Sequence, residues 1–184
     1  ALDRWTPGEG NLAEISSAID GAPVATTGSG GLDFARMLNH AREVGGPALR
    51  KMTFHERARM LKALGRAIMA RKEELYELNY LTGATRKVGW IDIEGGAGTL
   101  FSFSSKGRRE LPDAQVLMDG GIEPLSKTGS FVGQHIYTPL QGAALHINAF
   151  NFPVWGMLEK LAPTLLAGVP AIVKPASATA YLAE

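Results

Sequence analysis

Two polar motifs, each directly behind a short apolar run, carry the side chains best suited to chemistry. Asn151 lies in "NAFNFP", after the run that ends at Ile147, and Lys174 lies in "KPAS", 23 residues beyond Asn151. An amide can donate to an oxygen that gains negative charge, and an ammonium can bind phosphate or ribose oxygens. Because burying such groups without partners is costly, we expect each motif to be either a helix cap or part of a site.

The segment between the two motifs predicts the elements that position them. Apolar residues recur at helical spacing from Pro153 to Leu166, Gly168 ends the pattern, and "AIVKP" has the character of a buried strand. Strand, helix and strand within about thirty residues predict a βαβ unit with parallel strands. Ligands of open parallel sheets bind beyond the carboxyl ends of the strands, so both motifs are expected at one edge.

The first part of the chain predicts a hairpin and a group of helices. Asp20-Gly21 separates two short strand-like runs and favours a two-residue type I′ turn. A helix is predicted from Asp33 to Val44, ended by "GGP" at 45–47.

The next helices are marked by caps and glycines. Thr53 and Glu56 have the spacing of a capping box, and Gly83 is expected to end the helical pattern that follows. "WIDIEGGAGTLFSFSSKG" is predicted to be helical, with small residues where it packs closely. "FVGQHIYTPLQGAALHIN" predicts two extended runs joined around Pro139 to Gly142.

Composition excludes several classes of function. The 184 residues carry 19 Lys+Arg against 18 Asp+Glu, so the net charge of +1 gives no reason to expect nucleic acid or an anionic membrane as a partner. No apolar run approaches the roughly 18 residues of a membrane span. There is no cysteine, which removes disulfides, thiolate metal sites and a thiol nucleophile from this chain. No metal site is predicted, and the cytoplasm is the expected location.

The sequence lacks the known phosphate-binding loops, and its motifs resemble those of a different family. Neither a G-x-G-x-x-G fingerprint after a strand nor a P-loop occurs. "NAFNFPVWGMLEKLAPTLLAGVPAIVKPAS" resembles the aldehyde dehydrogenase superfamily, which has aromatic-Asn-Phe-Pro after one strand and Lys-Pro-Ala after the next at this interval. "MTFHERA", "TGATR", "DIEGG", "RRELPD", "PLSK" and "HINAFNFP" are most similar to the PaaZ-type domains of phenylacetate degradation, with the semialdehyde dehydrogenases of the aerobic benzoyl-CoA pathway as close competitors.

The resemblance implies an α/β fold, the N-terminal portion of an aldehyde dehydrogenase, in three parts. Residues 1–110 would form the hairpin and helical part of the cofactor-binding domain. Residues 111–142 would form a β-linker that contributes to a homo-oligomer. Residues 143–184 would form the first, incomplete βαβ unit of a Rossmann-like cofactor domain.

The resemblance also assigns roles to residues. Asn151 matches the asparagine of the oxyanion hole, a donor of a kind worth about 3 kcal/mol of barrier. The cofactor would contact Phe150, Lys174, Pro175, Ala176 and Ser177. Many NAD-preferring members have glutamate where Ser177 stands; a neutral hydroxyl would not repel a 2′-phosphate, so NADP is expected, with NAD as the alternative.

The family's chemistry needs a cysteine nucleophile and a glutamate that activates water, both later in the family's sequence than this chain extends. We therefore expect a longer NAD(P)-dependent enzyme that oxidises a semialdehyde, CoA-linked and from aromatic-compound degradation, to the acid, and no activity from these 184 residues alone. Two alternatives stay open: a non-catalytic homologue that acts only in assembly, and a simple nucleotide-binding module.

Each site residue also has a structural alternative. Asn151 would be an N-cap of the following helix, and Ser177 the N-cap of the next. His146 is expected to be a satisfied core histidine. Asp92 and Glu94 are expected on a solvated helix face. Trp155 and Met157 are expected to pack in the core.

Overall fold

A computed structural model describes residues 5–184 as a hairpin, a group of helices, a second hairpin and a βαβ unit. The strands are β1 (Ala13–Ser16), β2 (Pro23–Thr27), β3 (Leu117–Pro124), β4 (Val132–Tyr137), β5 (Ala144–Ile147) and β6 (Ala171–Lys174). The helices are α1 (Phe34–His40), α2 (Gly46–Lys51), α3 (Phe54–Ala70), α4 (Lys72–Tyr80), α5 (Arg86–Glu110), α6 (Pro153–Leu166) and α7 (Ala180–Ala183). None of the helices formed by these residues is long and apolar enough to cross a membrane.

The predicted N-terminal hairpin is present, but its turn is longer than predicted. β1 and β2 pair antiparallel with an irregularity at Ile15/Ser16, and the Ser17 N–H donates to the Ala22 carbonyl at 2.8 Å. A type I′ turn needs positive φ at both central residues, whereas only Gly21, with φ of 74°, has it here. The connection therefore spans the whole segment between Ser16 and Pro23 instead of two residues.

The prediction that "GGP" ends the first helix is wrong. α1 begins at its N-cap Asp33, whose Oδ1 accepts from the Arg36 N–H at 2.8 Å. A π-helical turn over Ala41–Gly45 then leads directly into α2. Pro47 lies in the first turn of α2, so the chain stays helical through "GGP".

The capping box at the start of α3 is confirmed. The Thr53 hydroxyl accepts from the Glu56 N–H at 3.2 Å, and the Glu56 carboxylate accepts from the Thr53 N–H at 2.8 Å. The predicted glycine-containing helix is also confirmed, as the 25-residue α5. Two of its glycines, Gly96 and Gly107, lie where α5 meets α6 most closely.

The core is helical, with α5 packed between α3 and α6. It is a single cluster of buried apolar side chains: Ala58, Leu61, Tyr76, Ile93, Leu100, Val154, Leu158, Ala162, Leu166 and Leu182. Met157 packs against this cluster as predicted, whereas Trp155 at the start of α6 remains 36% exposed.

The predicted βαβ unit is confirmed. β5 and β6 are parallel in register from Ala144↔Ala171 to Ile147↔Lys174. The two extended runs around Pro139 are both strands, but β4 pairs with β3 and not with β5.

Candidate functional site

The structure places the two polar motifs at the same edge of the β5–β6 sheet. The Asn148 N–H donates to the Lys174 carbonyl at 3.0 Å, which continues the parallel pairing beyond the strands. The Thr179 hydroxyl then donates to the Phe150 carbonyl at 3.3 Å, so the loop after β5 is joined to the turn after β6. Residues of the second motif and of the turn behind it thus anchor the loop that carries Asn151.

Asn151 has an exposed side chain that no residue within 5–184 binds. The N-cap of α6 is not Asn151 but Phe152, which adopts φ of 50° and ψ of 54° and makes no side-chain capping bond. The structural alternative, in which Asn151 caps α6, is therefore wrong, and its amide stays available as a donor. A left-handed conformation costs a non-glycine residue roughly 1–2 kcal/mol, so the surrounding contacts must hold Phe152 in place.

The cap of α6 comes from another helix. Asp92 of α5 is 1% exposed, and its Oδ1 accepts from the N–H groups of Val154 at 3.1 Å and Trp155 at 2.7 Å. Its Oδ2 accepts from the Asn79 side-chain amide at 3.0 Å. Burial raises the pKa of Asp92, against the opposing effect of these three donors. The prediction that Asp92 lies on a solvated face is wrong.

A pocket of about 490 Å³ opens beside the loop. Phe150 and Asn151 form part of its wall, and Asp92 and Asn79 lie among its lining residues. Phe152 and Pro153 continue the wall on the Asn151 side. The rest of the lining comes from the end of β1, the segment behind α4, the first turn of α5 and the segment behind β6: Ser16, Ala18, residues 81–85, Val88, Ala178, Thr179 and Tyr181. A small molecule in this pocket would therefore lie against the Asn151 loop.

The second motif lies on the same sheet edge but does not line that pocket. Lys174 and Ser177 are exposed, and Pro175 and Ala176 are partly buried between them. The N-cap of the 3₁₀ turn over Ser177–Thr179 is Ala176, which makes no side-chain capping bond, so the prediction of Ser177 as an N-cap is wrong. In the part of the chain that the structure describes, no group binds the Lys174 ammonium or the Ser177 hydroxyl at the end of β6.

Two further titratable residues have structural roles. The His146 Nε2 lies 3.2 Å from the Thr164 hydroxyl, and burial together with the nearby Lys160 ammonium lowers the pKa of His146. The prediction of a satisfied core histidine is confirmed only in part, because the buried Nδ1 has no partner among the described residues. Glu94 accepts from the Lys72 ammonium at 3.0 Å and from the Tyr76 hydroxyl at 2.9 Å, and these bonds lower its pKa. Within residues 5–184, no three His, Asp, Glu or Cys side chains group as a metal site would.

Three features of the site were missed from the sequence. The capping role of Asp92 joins residues about sixty positions apart, and its only sequence signal is Gly96, one helical turn further along α5. The left-handed Phe152 has no signal, because aromatic residues rarely adopt that conformation. Asn148 is buried, and neither the nitrogen nor the oxygen of its amide has a partner among the described residues. The sequence motif does not indicate this burial.

Comparison with known proteins identifies the class. The sequence model of the aldehyde dehydrogenase family matches residues 5–184. Because that match spans nearly the whole chain, the protein belongs to the aldehyde dehydrogenase family. One curated relative, the 3,4-dehydroadipyl-CoA semialdehyde dehydrogenase of Aromatoleum evansii, is 41% identical over 182 residues, or 98% of this chain and 35% of the relative. The chain thus spans about a third of that relative's length.

Solved structures confirm the fold. A 3,6-anhydro-L-galactose dehydrogenase superimposes with a TM-score of 0.82 at 24% identity, covering 98% of this chain and 36% of its own. An NAD-dependent benzaldehyde dehydrogenase of Corynebacterium glutamicum gives a TM-score of 0.81 at 20% identity, covering 97% and 37%. These likenesses confirm the predicted α/β architecture, the N-terminal portion of an aldehyde dehydrogenase fold.

Proposed function

We propose that this chain is the N-terminal part of an NADP-dependent aldehyde dehydrogenase that oxidises a CoA-linked semialdehyde to the acid. The observation that carries the proposal is the free, exposed amide of Asn151 at the pocket wall, beside a helix end capped by a different residue. The name of the A. evansii relative supports a CoA-linked semialdehyde as the substrate. It also favours the benzoyl-CoA pathway group over the PaaZ-type group within degradation of aromatic compounds.

Asn151 would act as the oxyanion donor. Its amide is not engaged by another group, so it can donate to the aldehyde oxygen as negative charge develops there. The loop holds this donor on a fixed backbone, because β5 and α6 anchor its two ends. A preorganised donor of this type does not have to rearrange during the reaction, which is the source of its catalytic value.

Residues at the end of β6 would hold the cofactor, and NADP would supply the hydride acceptor of the reaction. Lys174 offers an ammonium that no residue within 5–184 pairs, and it could bind phosphate or ribose oxygens. Pro175 and Ala176 would shape the backbone there, and Phe150 would adjoin from the first motif. Ser177 is exposed and does not cap the helix, so its hydroxyl can face a 2′-phosphate without charge repulsion. The free cation and the absence of a carboxylate between residues 171 and 183 fit a phosphorylated ribose.

The nucleophile and the base would come from outside these residues. The chain has no cysteine, so the covalent step that the family uses cannot be performed by its own side chains. The first test is therefore an assay of the full-length protein with a CoA-linked and a free semialdehyde, each with NADP and with NAD. We expect reduction of NADP to be fastest with the CoA-linked aldehyde. No aldehyde-dependent reduction of either cofactor would refute the proposal.

The cofactor preference has its own test, Ser177→Glu in the full-length enzyme with Ser177→Ala as the control. The introduced carboxylate should raise the KM for NADP roughly tenfold or more, since 1.4 kcal/mol of repulsion already gives a factor of ten. The alanine variant should keep the preference for NADP. Equal KM values for NADP in all three proteins would show that Ser177 does not set the preference.

A second candidate function is assembly without catalysis. The β3–β4 hairpin exposes large apolar side chains, Met118, Ile122, Phe131, Val132, Ile136 and Tyr137, which an oligomer interface would cover. We propose that residues 111–142 contribute to a homo-oligomer in either case. An oligomer without aldehyde oxidation by the full-length protein would favour the assembly function over the enzyme.

A further inference from the structure

We propose that Asp92 is a positioning residue for Asn151: by capping α6 from the neighbouring helix, it fixes the loop that aims the oxyanion donor. This inference rests on the proposed function of Asn151. Asp92 lies among the lining residues of the same pocket, but it makes no bond to Asn151. It acts through the first turn of α6, where its Oδ1 binds two successive N–H groups.

The cap leaves Asn151 free for substrate. The first N–H groups of a helix lack partners within the helix, and asparagine is one of the side chains that most often satisfies them. Here Asp92 already occupies the N–H groups of Val154 and Trp155, so the Asn151 amide is not drawn back onto the helix. Asp92 thus caps the helix, and Asn151 remains able to donate to the substrate.

The backbone between the cap and the donor is short and constrained. Only Phe152 and Pro153 separate Asn151 from Val154, the first N–H that Asp92 binds. Pro153 has a fixed φ, and Phe152 is held in the left-handed region. A displacement of the first turn of α6 would therefore displace Asn151 by a similar distance.

The surface of α5 is built for this contact. Gly96 lies four residues after Asp92, which places both on one face of the helix. A Cβ on Gly96 would lie 3.0 Å from the Trp155 Cα and 3.2 Å from the Trp155 nitrogen. The absence of that carbon lets the backbone of α6 approach closely enough for the short Asp92 side chain to reach it.

A residue of a third helix holds the Asp92 carboxylate in place. Asn79 of α4 donates to Oδ2 and is almost fully buried, as is Asp92. A buried carboxylate is held firmly only when its oxygens have donors, and here both have them. The network therefore joins three helices, α4, α5 and α6, at the base of the loop that carries Asn151.

The test is a double-mutant cycle in kcat, measured in the full-length enzyme with wild type, Asp92→Ala, Asn151→Ala and the double variant. Because misplacing a catalytic group by about 1 Å can cost about a hundredfold in rate, we expect Asp92→Ala to lower kcat roughly ten- to a hundredfold. The Kd for NADP, measured separately, should change little. The double variant should be no slower than Asn151→Ala alone, since Asp92 acts through Asn151.

Two controls separate positioning from general stability. Asp92→Asn keeps an oxygen for the two N–H groups, and Asn79 can rotate its amide to match, so this variant should recover most of the lost kcat. Glu94→Ala, two residues along α5, removes bonds to Lys72 and Tyr76 but none to α6, and should leave kcat unchanged. If Asp92→Ala does not fold, Gly96→Ala takes its place in the cycle, because it keeps the carboxylate but displaces the first turn of α6.

Unchanged kcat in folded Asp92→Ala would overturn the inference and leave the proposed function intact. So would losses that multiply in the double variant, because Asp92 would then act independently of Asn151. Unchanged kcat in Asn151→Ala would overturn the proposed function and this inference together.

Discussion

Replacing Gly96 by alanine measures how tightly α6 lies against α5. The added methyl group would lie 3.0 Å from the Trp155 Cα and 3.2 Å from the Leu158 Cδ1. One of these neighbours is backbone, which cannot rotate away as a flexible side chain does. We therefore expect the variant to be strained in the region that Asp92 caps.

Two opposing effects set the magnitude. Alanine is favoured over glycine within a helix by about 1 kcal/mol. Overpacking a well-packed interface typically costs about 1–3 kcal/mol, so the net change in the free energy of unfolding lies between about zero and a loss of 2 kcal/mol. Gly98→Ala is the matched control, because a Cβ on Gly98 has no atom within 4 Å and the variant gains only the helical preference.

The assay is urea unfolding of wild type and the two variants, followed by far-UV circular dichroism. The helical preference cancels between Gly96→Ala and Gly98→Ala, which leaves the packing cost of about 1–3 kcal/mol. With a slope of about 2 kcal/mol per molar urea, the midpoint of Gly96→Ala should lie about 0.5–1.5 M below that of Gly98→Ala. Equal midpoints would refute the close approach of the two helices.

Three further predictions concern other parts of the fold. Thr53→Ala should lower the free energy of unfolding by about 1 kcal/mol because it removes the cap of α3, whereas Thr53→Ser should retain most of it. Leu158→Ala should lower the free energy of unfolding by about 2–5 kcal/mol, since Leu158 is 2% exposed. Ile19→Ala, at a half-exposed position, should change it by less than about 0.5 kcal/mol. Urea unfolding of the Thr53 variants and of these two variants checks both predictions. Because burial and Lys160 lower the pKa of His146 below its usual 6.5, the stability from its neutral ring is fully present above pH 6.5 and falls as the pH drops towards the lowered pKa. The His146→Gln variant should therefore lose less stability than wild type between about pH 7.5 and about pH 5.5, and thermal unfolding of both proteins across that range measures the difference.

Local signals predicted much of the fold because they depend on neighbouring residues alone. The capping box at Thr53 and Glu56 and the helical spacing of α6 are determined within one or two turns, and both are confirmed. The βαβ unit follows from the order of its elements, and its parallel register is confirmed as well. The family resemblance added the fold class, which comparison with solved structures also confirms.

The wrong predictions arose where tertiary contacts or backbone details decide. The prediction that "GGP" at 45–47 ends the first helix is wrong because proline is tolerated in the first turn of a helix such as α2. The β3 segment "LMDGGIEP" has two glycines and a proline, which weaken its strand signal, yet it pairs with β4. Asp92 looked like an exposed acidic residue because, apart from Gly96, its own helix carries no sign that α6 begins against it.

The measurement that tests the account most directly is kcat for Asn151→Ala in the full-length enzyme, together with the Kd for NADP. Loss of an oxyanion donor typically costs about a hundred- to a thousandfold in kcat, and we expect a loss of that size. The Kd for NADP should stay close to the wild-type value, because the amide would contact substrate and not cofactor. An unchanged kcat would contradict the role assigned to Asn151, and with it the proposed function of the pocket that it lines.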